Sequence, residues 1–148
     1  MAKSNFSIRR VTLCMLPMLA LALWMLAFAG LATAGGTATA EAPARMSVPI
    51  PPAAKSAGVV MLELSVTVSR KPASGNLGAV VRLKRPGGAM AEIGRVSLVG
   101  GGQSYQFNVG PLAANGAAEV EVALIDRAGG PAPSGAELSI GRLEIVTR

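Results

Sequence analysis

Most of the chain after position 58 alternates between apolar and polar residues with a period of two. In the segment VVMLELSVTVS, the apolar side chains of Val60, Leu62 and Leu64 share one face, whereas Glu63 and Ser65 share the other. This alternation is typical of a β-strand that buries one face and exposes the other to solvent. The segment therefore predicts a half-buried strand.

Further segments repeat this alternation, and clusters of Gly, Pro, Asn and Ser separate them. These segments cover residues 79–84, 89–99, 104–109, 119–125 and 138–145. Glycine and proline favour turns, and no useful length of this region has the 3.6-residue period of an amphipathic helix. The sequence predicts an all-β fold, namely a small antiparallel β-sandwich of about six to seven strands, with a small barrel as the alternative.

Two of the predicted strands change the parity of their alternation at a glycine. Apolar residues fall on odd positions before Gly94 and on even positions after it, and the reverse holds around Gly141. One extra residue in a strand lets the apolar side chains point inward on both sides of the break. We therefore predict β-bulges at these two glycines.

Residues 35–57 have a different composition, rich in Ala, Thr and Pro and with little periodicity. Such a composition predicts a flexible or extended linker. The run Val48–Ile50 is compatible with a short edge strand inside it. The folded domain is accordingly predicted over residues 58–148.

Residues 1–34 have the pattern of a secretory signal. Lys3, Arg9 and Arg10 precede an uncharged apolar run over residues 11–31, which predicts an N-terminal hydrophobic signal helix. An uncleaved membrane anchor formed by this run is the alternative, because about 20 apolar residues can span a bilayer. In both cases the rest of the chain is exported, to the periplasm or the medium, since the basic residues stay inside.

The apolar run ends in an Ala-Thr-Ala sequence. Ala32 and Ala34 provide the small side chains that signal peptidase recognises, which favours cleavage after Ala34. Cleavage after Ala40 is the alternative, because a second Ala-Thr-Ala sequence ends there. The arginine pair at positions 9 and 10 leaves both the Sec and the twin-arginine routes open.

The export segment carries much of the positive charge. The whole chain has 14 basic and 8 acidic residues, a net charge of +6, and removing the three basic residues of the signal lowers it to +3. This small excess gives no support for a nucleic-acid partner, and membrane contact is predicted only through the N-terminal segment. Arg82, Lys84 and Arg85 are a candidate basic contact edge or, more simply, part of a solvated face.

The composition excludes most catalytic and metal-binding chemistry. The chain has no histidine, and its one cysteine, Cys14, lies in the apolar run. The exported part therefore lacks imidazole and thiolate groups, the common ligands of zinc and copper and the partners of nucleophilic triads. Glu119 and Glu121 share the polar face of one predicted strand, where a solvated surface is a simpler interpretation than an acid-base pair. We predict no enzyme activity, no cofactor and no metal site.

The last four predicted strands carry a resemblance to a known family. In order, they contain the sequences GRVSL, YQFNV, VALI and LSIGRLEI. Over residues 59–148 this series resembles the C-terminal β-sandwich domain of tyrosinases and plant-type polyphenol oxidases, which ends in a comparable Ile-Gly-Arg strand. The KFDV strand of that family has no counterpart here, because residues 79–82 read AVVR and contain no aspartate.

In that family the sandwich covers the dicopper site of a neighbouring catalytic domain. The resemblance implies a non-catalytic exported domain that acts by contact with another protein, with a tyrosinase-like oxidase as the specific candidate partner. The alternative is a cell-envelope module that binds polysaccharide or an anionic surface through Arg82, Lys84 and Arg85.

Overall fold

The computed structural model describes residues 35–72, 76–112 and 116–148. These residues form one 3-10 turn at Pro52–Lys55 and eight strands, and the all-β class is confirmed. The strands are β1 (Thr37–Thr39), β2 (Ala44–Pro49), β3 (Val60–Arg70), β4 (Leu77–Lys84), β5 (Met90–Leu98), β6 (Gly102–Asn108), β7 (Ala117–Asp126) and β8 (Glu137–Thr147). The predicted signal helix and cleavage residues Ala32 and Ala34 lie outside the described residues. Within the described part, no helix is long and apolar enough to cross a membrane.

The strands form two four-stranded antiparallel sheets. Sheet A has the order β1-β8-β3-β6, and sheet B has the order β2-β7-β4-β5. Every connection except the one between β4 and β5 passes from one sheet to the other, which is the eight-stranded jelly-roll topology. The predicted sandwich is therefore confirmed, with eight strands rather than six or seven.

The hydrophobic core lies between the two sheets and is built mainly from aliphatic side chains. Leu62 and Leu64 of β3 and Leu138 of β8 are at most 1% exposed, as are Val120 and Val122 of β7. In each strand they alternate with outward-facing residues, because successive side chains of a β-strand point to opposite faces. The period-two pattern thus identified the inward face of these strands correctly.

Residues 35–57 do not form a linker, and the predicted domain boundary at residue 58 is wrong. β1 pairs with β8 and β2 pairs with β7, so this segment completes one edge of each sheet. Ala38, Met46 and Val48 lie in the core. Apolar residues do occupy the even positions from 44 to 50, but the prolines among them conceal the strand. Pro49 is tolerated because β2 is an edge strand, where a missing N–H breaks no ladder bond.

Shifts in strand register lie at both glycines that were predicted to mark bulges. In β5, Gly94 pairs with Val81 and Glu92 pairs with Arg82, which leaves Ile93 as the extra residue. In β8, Leu143 pairs with Leu64 of β3 and Ile140 pairs with Val66. Two residues of β8, 141 and 142, therefore lie across from one residue of β3. Each shift reverses the parity of the inward positions, in line with the sequence pattern.

The two glycines differ in what surrounds them. A Cβ atom on Gly94 would lie 2.6 Å from Cε1 of Phe107, whereas the nearest atom to a Cβ on Gly141 is the carbonyl oxygen of Ser65 at 3.9 Å. Gly94 is therefore needed so that the ring of Phe107 can pack against β5. Gly141 has no such close contact.

Candidate binding surfaces

The outward side of sheet B carries a band of charged side chains, which we name the charged face. Its members are Arg45, Arg82, Lys84, Glu92, Arg95, Glu119 and Glu121. Arg45 of β2 lies opposite Glu121 of β7, which in turn lies opposite Arg82 of β4. Positive and negative side chains consequently alternate across the sheet, the arrangement in which cross-strand pairs stabilise it.

Glu121 is the one buried charged residue among the described residues, with 6% of its surface exposed. Arg82 donates from Nη1 to its Oε1 at 2.6 Å, and Arg45 donates from Nε to its Oε2 at 2.9 Å. The hydrogen bond from Arg82, helped by Arg45, outweighs the desolvation of the carboxylate and lowers the pKa of Glu121. This carboxylate is ionised at neutral pH and has both oxygens engaged, so it cannot act as a general acid.

Glu119 shares the outward side with Glu121 but has different surroundings. Its side chain is partly exposed, and its Oε2 lies 3.6 Å from Nζ of Lys84. The expectation of a solvated surface therefore suits Glu119 but is wrong for Glu121, because its two arginine partners make burial of the carboxylate tolerable. The two carboxylates are held by separate cations and do not form an acid-base pair. The described part of the chain also contains no cluster of three or more His, Cys, Asp or Glu that could hold a metal ion.

Arg82, Lys84 and Arg85 are not gathered into a free basic edge. Arg82 and Lys84 face carboxylates of β7, as described above. Arg85 follows β4 and points elsewhere, donating from Nη2 to the carbonyl oxygen of Val109 at 2.7 Å. Arg95 is likewise bound to Glu92, with Nε 2.9 Å from Oε1. Because each cation on the charged face has a nearby carboxylate, this face presents only a weak net field to an anionic ligand.

The outward side of sheet A is neutral over most of its area, and we name it the hydroxyl-amide face. All four strands contribute to it: the residues are Thr37, Ser65, Thr67, Ser69, Ser104, Gln106, Asn108 and Ser139. Each is exposed or partly exposed and alternates with inward-facing positions of its strand. The continuous part of the face consists of the five serine and threonine side chains of β3, β6 and β8, together with Thr37 of β1. Gln106 and Asn108 lie farther along β6, opposite Glu63 and Met61 of β3.

Several members of the hydroxyl-amide face contact one another across strands. Ser65 Oγ and Ser104 Oγ are 2.9 Å apart, and the hydroxyls of Ser69 and Ser139 are hydrogen-bonded. Thr37 and Thr67 both lie opposite Ser139, from β1 and β3 respectively, so hydroxyls form a row across three strands. A hydroxyl has one donor and two acceptor positions, and these contacts leave part of that capacity for a ligand.

Charged residues also lie on this side of sheet A, and Glu63 is opposite both Gln106 and Glu144. Gln106 donates from Nε2 to Oε1 of Glu63 at 2.7 Å, and Arg148 Nη2 lies 3.8 Å from the same oxygen. Arg142 Nη2 lies 2.5 Å from Oε1 of Glu144. These four charged residues therefore add no net charge, and Glu137 and Arg70 lie opposite each other at the other end of the face.

Neither aromatic residue of sheet A lies on the hydroxyl-amide face. Phe107 is in the core, and Tyr105 packs against it. The Tyr105 hydroxyl donates to the carbonyl oxygen of Ser97 at 2.8 Å and lies 3.0 Å from Oε1 of Gln103. Burial raises the pKa of Tyr105. A ligand on this face would thus be bound by hydroxyl and amide groups without stacking on a ring.

Sequence reasoning did not identify the hydroxyl-amide face. The signal was present within single strands, because Ser65, Thr67 and Ser69 alternate along β3, and Ser104 and Gln106 alternate along β6. The missing information was the pairing of β3 with both β6 and β8. These strands are distant in the sequence, and no local pattern shows that they are neighbours.

No protein-family model and no curated protein matches the chain. Among solved structures, it is similar to TmCBM61 in complex with beta-1,4-galactotriose, with 12% identity and a TM-score of 0.45, covering 78% of this chain and 68% of that chain. It is also similar to a family 16 carbohydrate binding module-2, with 13% identity and a TM-score of 0.36, covering 76% and 75% of the two chains. Similarities this distant carry no argument about function. The resemblance to tyrosinase C-terminal domains stays a prediction.

Proposed function

We propose that this protein is a non-catalytic binding module that holds a neutral polyhydroxylated polymer, a polysaccharide, on the hydroxyl-amide face. The observation that carries the proposal is the group of neutral hydroxyl and amide side chains that all four strands of sheet A contribute to one outward side. Of the functions predicted from the sequence, this one corresponds to a cell-envelope module for polysaccharide. It differs from that prediction in the surface used, because the charged residues first considered lie on the opposite sheet.

The chemistry of the hydroxyl-amide face suits a ligand rich in hydroxyl groups. Serine and threonine hydroxyls can each donate and accept, and the amides of Gln106 and Asn108 provide both kinds of group. Four strands spaced by about 4.8 Å give the face a width of about 14 Å, so a linear polymer can contact several strands at once. Side chains on paired strands are held in position, which reduces the entropy lost when a ligand binds.

The charged face is a poorer candidate for the ligand. An anionic polymer would have to compete with Glu121 for Arg82 and with Glu119 for Lys84. Breaking the contacts of Glu121 would leave a buried carboxylate without its partners, which is costly. The structure thus gives more support to a neutral polymer than to an anionic surface.

The predicted export agrees with this function, since an exported protein meets polysaccharides in the cell envelope and in the medium. The signal segment itself lies outside the described residues and stays a prediction. Contact with a tyrosinase-like oxidase also stays a prediction, which rests on the resemblance of four short segments.

Binding to a panel of polysaccharides would test the proposal. Purified protein is run in native gels containing a neutral glucan, galactan or mannan, or an anionic polymer, at low and high salt. We expect retardation by at least one neutral polymer at both salt concentrations, because uncharged hydrogen bonds are not screened by ions. Retardation by the anionic polymer alone, lost at high salt, would contradict the proposal, and so would the absence of binding to every polymer.

A pair of double variants locates the binding face. Thr37→Ala/Thr67→Ala removes two hydroxyls from the hydroxyl-amide face, and Ser47→Ala/Ser97→Ala removes two from the outward side of sheet B. At roughly 1 kcal/mol for each net hydrogen bond, the first variant should bind at least about tenfold more weakly. The second should bind like the unmodified protein. Equal affinities for both variants would show that the ligand is held elsewhere.

A further inference from the structure

Four strands lie at sheet edges, and three of them carry features that prevent pairing with another strand. Natural proteins protect such edges with short strands, proline, charged residues or bulges. β1 has only three residues, and β2 contains Arg45 and Pro49. β5 contains Glu92 and Arg95 and has the register shift beside Gly94. These three edges are protected.

The fourth edge, β6, carries none of these features. Its sequence GQSYQFN has no charged residue and no proline. It pairs with β3 at seven consecutive positions without a shift in register. Ser104, Gln106 and Asn108 on its outward side are exposed. β6 is thus a straight, neutral and accessible edge strand.

The hydrogen-bonding phase of β6 shows which backbone groups are free to pair. Val109 donates from its backbone N–H to the carbonyl oxygen of Val60 at 3.0 Å. Residues of an antiparallel strand bond alternately to one side and the other, so residues 103, 105 and 107 also bond to β3. The N–H and C=O groups of Ser104, Gln106 and Asn108 therefore point away from β3, and no other strand of the described chain lies on that side.

We propose that β6 pairs with β6 of a second copy of this chain, antiparallel and about a two-fold axis that passes beside Tyr105. The two copies of sheet A then form one continuous eight-stranded sheet with β6 of each copy at its centre. This pairing supplies partners for backbone groups that have no strand beside them in the described part of a single chain. It is independent of the proposed function, since it uses the edge of the sheet rather than its face.

A second copy fits this edge because β6 is complementary to itself. The register centred on Tyr105 overlaps all seven residues, which no other register does. It places Ser104 opposite Gln106 of the partner subunit and Gly102 opposite Asn108 of the partner subunit. Both members of each pair have backbone groups that point to the interface, as a hydrogen-bonded pair requires. No charge lies opposite a like charge, so no electrostatic repulsion between the two strands opposes their association.

Two double variants with the same number of introduced charges test both the edge and its register. Ser104→Lys/Gln106→Lys places lysine opposite lysine twice across the two-fold axis. Ser104→Glu/Gln106→Lys, called the Lys/Glu variant below, places glutamate opposite lysine twice in the same register. Both variants carry lysine at residue 106 beside Glu63, and they differ only at residue 104, which lies opposite the neutral Ser65. Differences between them therefore report on the interface.

Sedimentation velocity over a range of concentrations measures the outcome. We expect the unmodified protein to be dimeric, the Lys/Glu variant to remain dimeric, and the Lys/Lys variant to dissociate with a dimer constant at least about tenfold weaker. Circular dichroism should show the same fold in all three. A monomeric unmodified protein, or a Lys/Lys variant as dimeric as the Lys/Glu variant, would overturn the proposal. Dissociation of both variants would overturn the register centred on Tyr105.

Discussion

Glu121 illustrates how one charged side chain can be buried on an outward sheet face. It is held by Arg82 and Arg45, and these hydrogen bonds lower its pKa below the ordinary value of 4.5. A carboxyl group with a lowered folded-state pKa stabilises the protein above its unfolded-state pKa, and this stabilisation is lost as the pH falls through the folded-state value. The contribution of Glu121 is therefore complete at neutral pH and disappears in acid.

Replacement of Glu121 should remove this contribution. We expect Glu121→Gln to lower the free energy of unfolding at pH 7 by about 2 kcal/mol, since hydrogen bonds to charged groups contribute about that much. The variant should also show a smaller loss of stability than the unmodified protein when the pH is lowered below 4.5. Urea unfolding at several pH values measures both effects. Glu119→Gln is the matched control, because it removes a partly exposed carboxylate with one distant cation, and equal costs for the two variants would contradict this account.

Gly94 provides a second prediction for a single residue. A Cβ atom at this position would overlap the ring of Phe107, so either the ring or β5 must move. We expect Gly94→Ala to lower the free energy of unfolding by about 1–3 kcal/mol, the usual cost of an overpacked core. Urea unfolding would measure the change.

Two further variants show whether the contact with Phe107 is the cause. Gly141→Ala also alters a glycine at a register shift, but with 3.9 Å of clearance it should cost much less. Phe107→Leu removes the ring, so adding Gly94→Ala to this variant should cost less than it does in the unmodified protein. An equal cost in both backgrounds would show that the bulge, not the ring, requires glycine.

For Gly94, Gly141 and Glu121, the sequence predicted the position in the strand but not the neighbouring side chains. The parity change identified the positions of Gly94 and Gly141, because period-two alternation depends only on neighbours in the chain. The role of Phe107 beside Gly94 and the burial of Glu121 depend on packing between strands. Such contacts cannot be read from the pattern of one segment.

At the level of elements, strands with strong alternation and few prolines were predicted well, whereas β1 was missed and β2 was expected only as a short edge strand at Val48–Ile50. β3 alternates over several residue pairs and buries Val60, Leu62 and Leu64. β1 has three residues, too few for any periodic signal, and β2 ends in Pro49. Short edge strands are stabilised by the neighbouring strand more than by their own propensity, so composition alone misclassified them.

The contribution of β1 can be measured by removing it. A chain that begins at Glu41 lacks β1, its pairing with β8 and the buried Ala38. We expect its free energy of unfolding to be on the order of 2 kcal/mol lower than that of a chain that begins at Gly35, since each net hydrogen bond contributes roughly 1 kcal/mol. Thermal or urea unfolding of the two chains gives the difference. Equal stabilities would show that β1 is dispensable.

The same comparison bears on the two predicted signal-peptidase sites. Cleavage after Ala34 leaves β1 intact, whereas cleavage after Ala40 removes it. If β1 stabilises the domain as expected, the fold favours the first site. The intact mass of the exported protein would show which site is used.

At the scale of the whole molecule, the two outward sides of the sandwich have opposite characters. Sheet A presents neutral hydroxyl and amide groups, and sheet B presents alternating charges that neutralise one another. The sequence shows only that polar residues alternate with apolar ones in both sheets. In the jelly-roll order, nearly every connection passes from one sheet to the other. This order places the polar residues of successive strands on two chemically distinct faces.

Dimerisation through β6 would place two hydroxyl-amide faces side by side on one continuous sheet. A long polysaccharide can contact both faces at once, whereas a short oligosaccharide can occupy only one. When two sites bind the same polymer, the second contact is intramolecular, and the combined affinity exceeds that of one site by a large factor. The proposed binding function and the proposed dimer therefore reinforce each other.

The two β6 variants provide the test, because both alter Ser104 and Gln106 and only one retains the dimer. We expect the Lys/Lys variant to bind a long neutral polysaccharide at least about tenfold more weakly than the Lys/Glu variant. Both should bind a short oligosaccharide of the same sugar with similar affinity, as measured by isothermal titration calorimetry. If the two variants bind the polymer equally while differing in oligomeric state, one face is sufficient for binding. If they differ equally for polymer and oligosaccharide, the introduced charges act on the ligand directly, and the advantage of two faces is refuted.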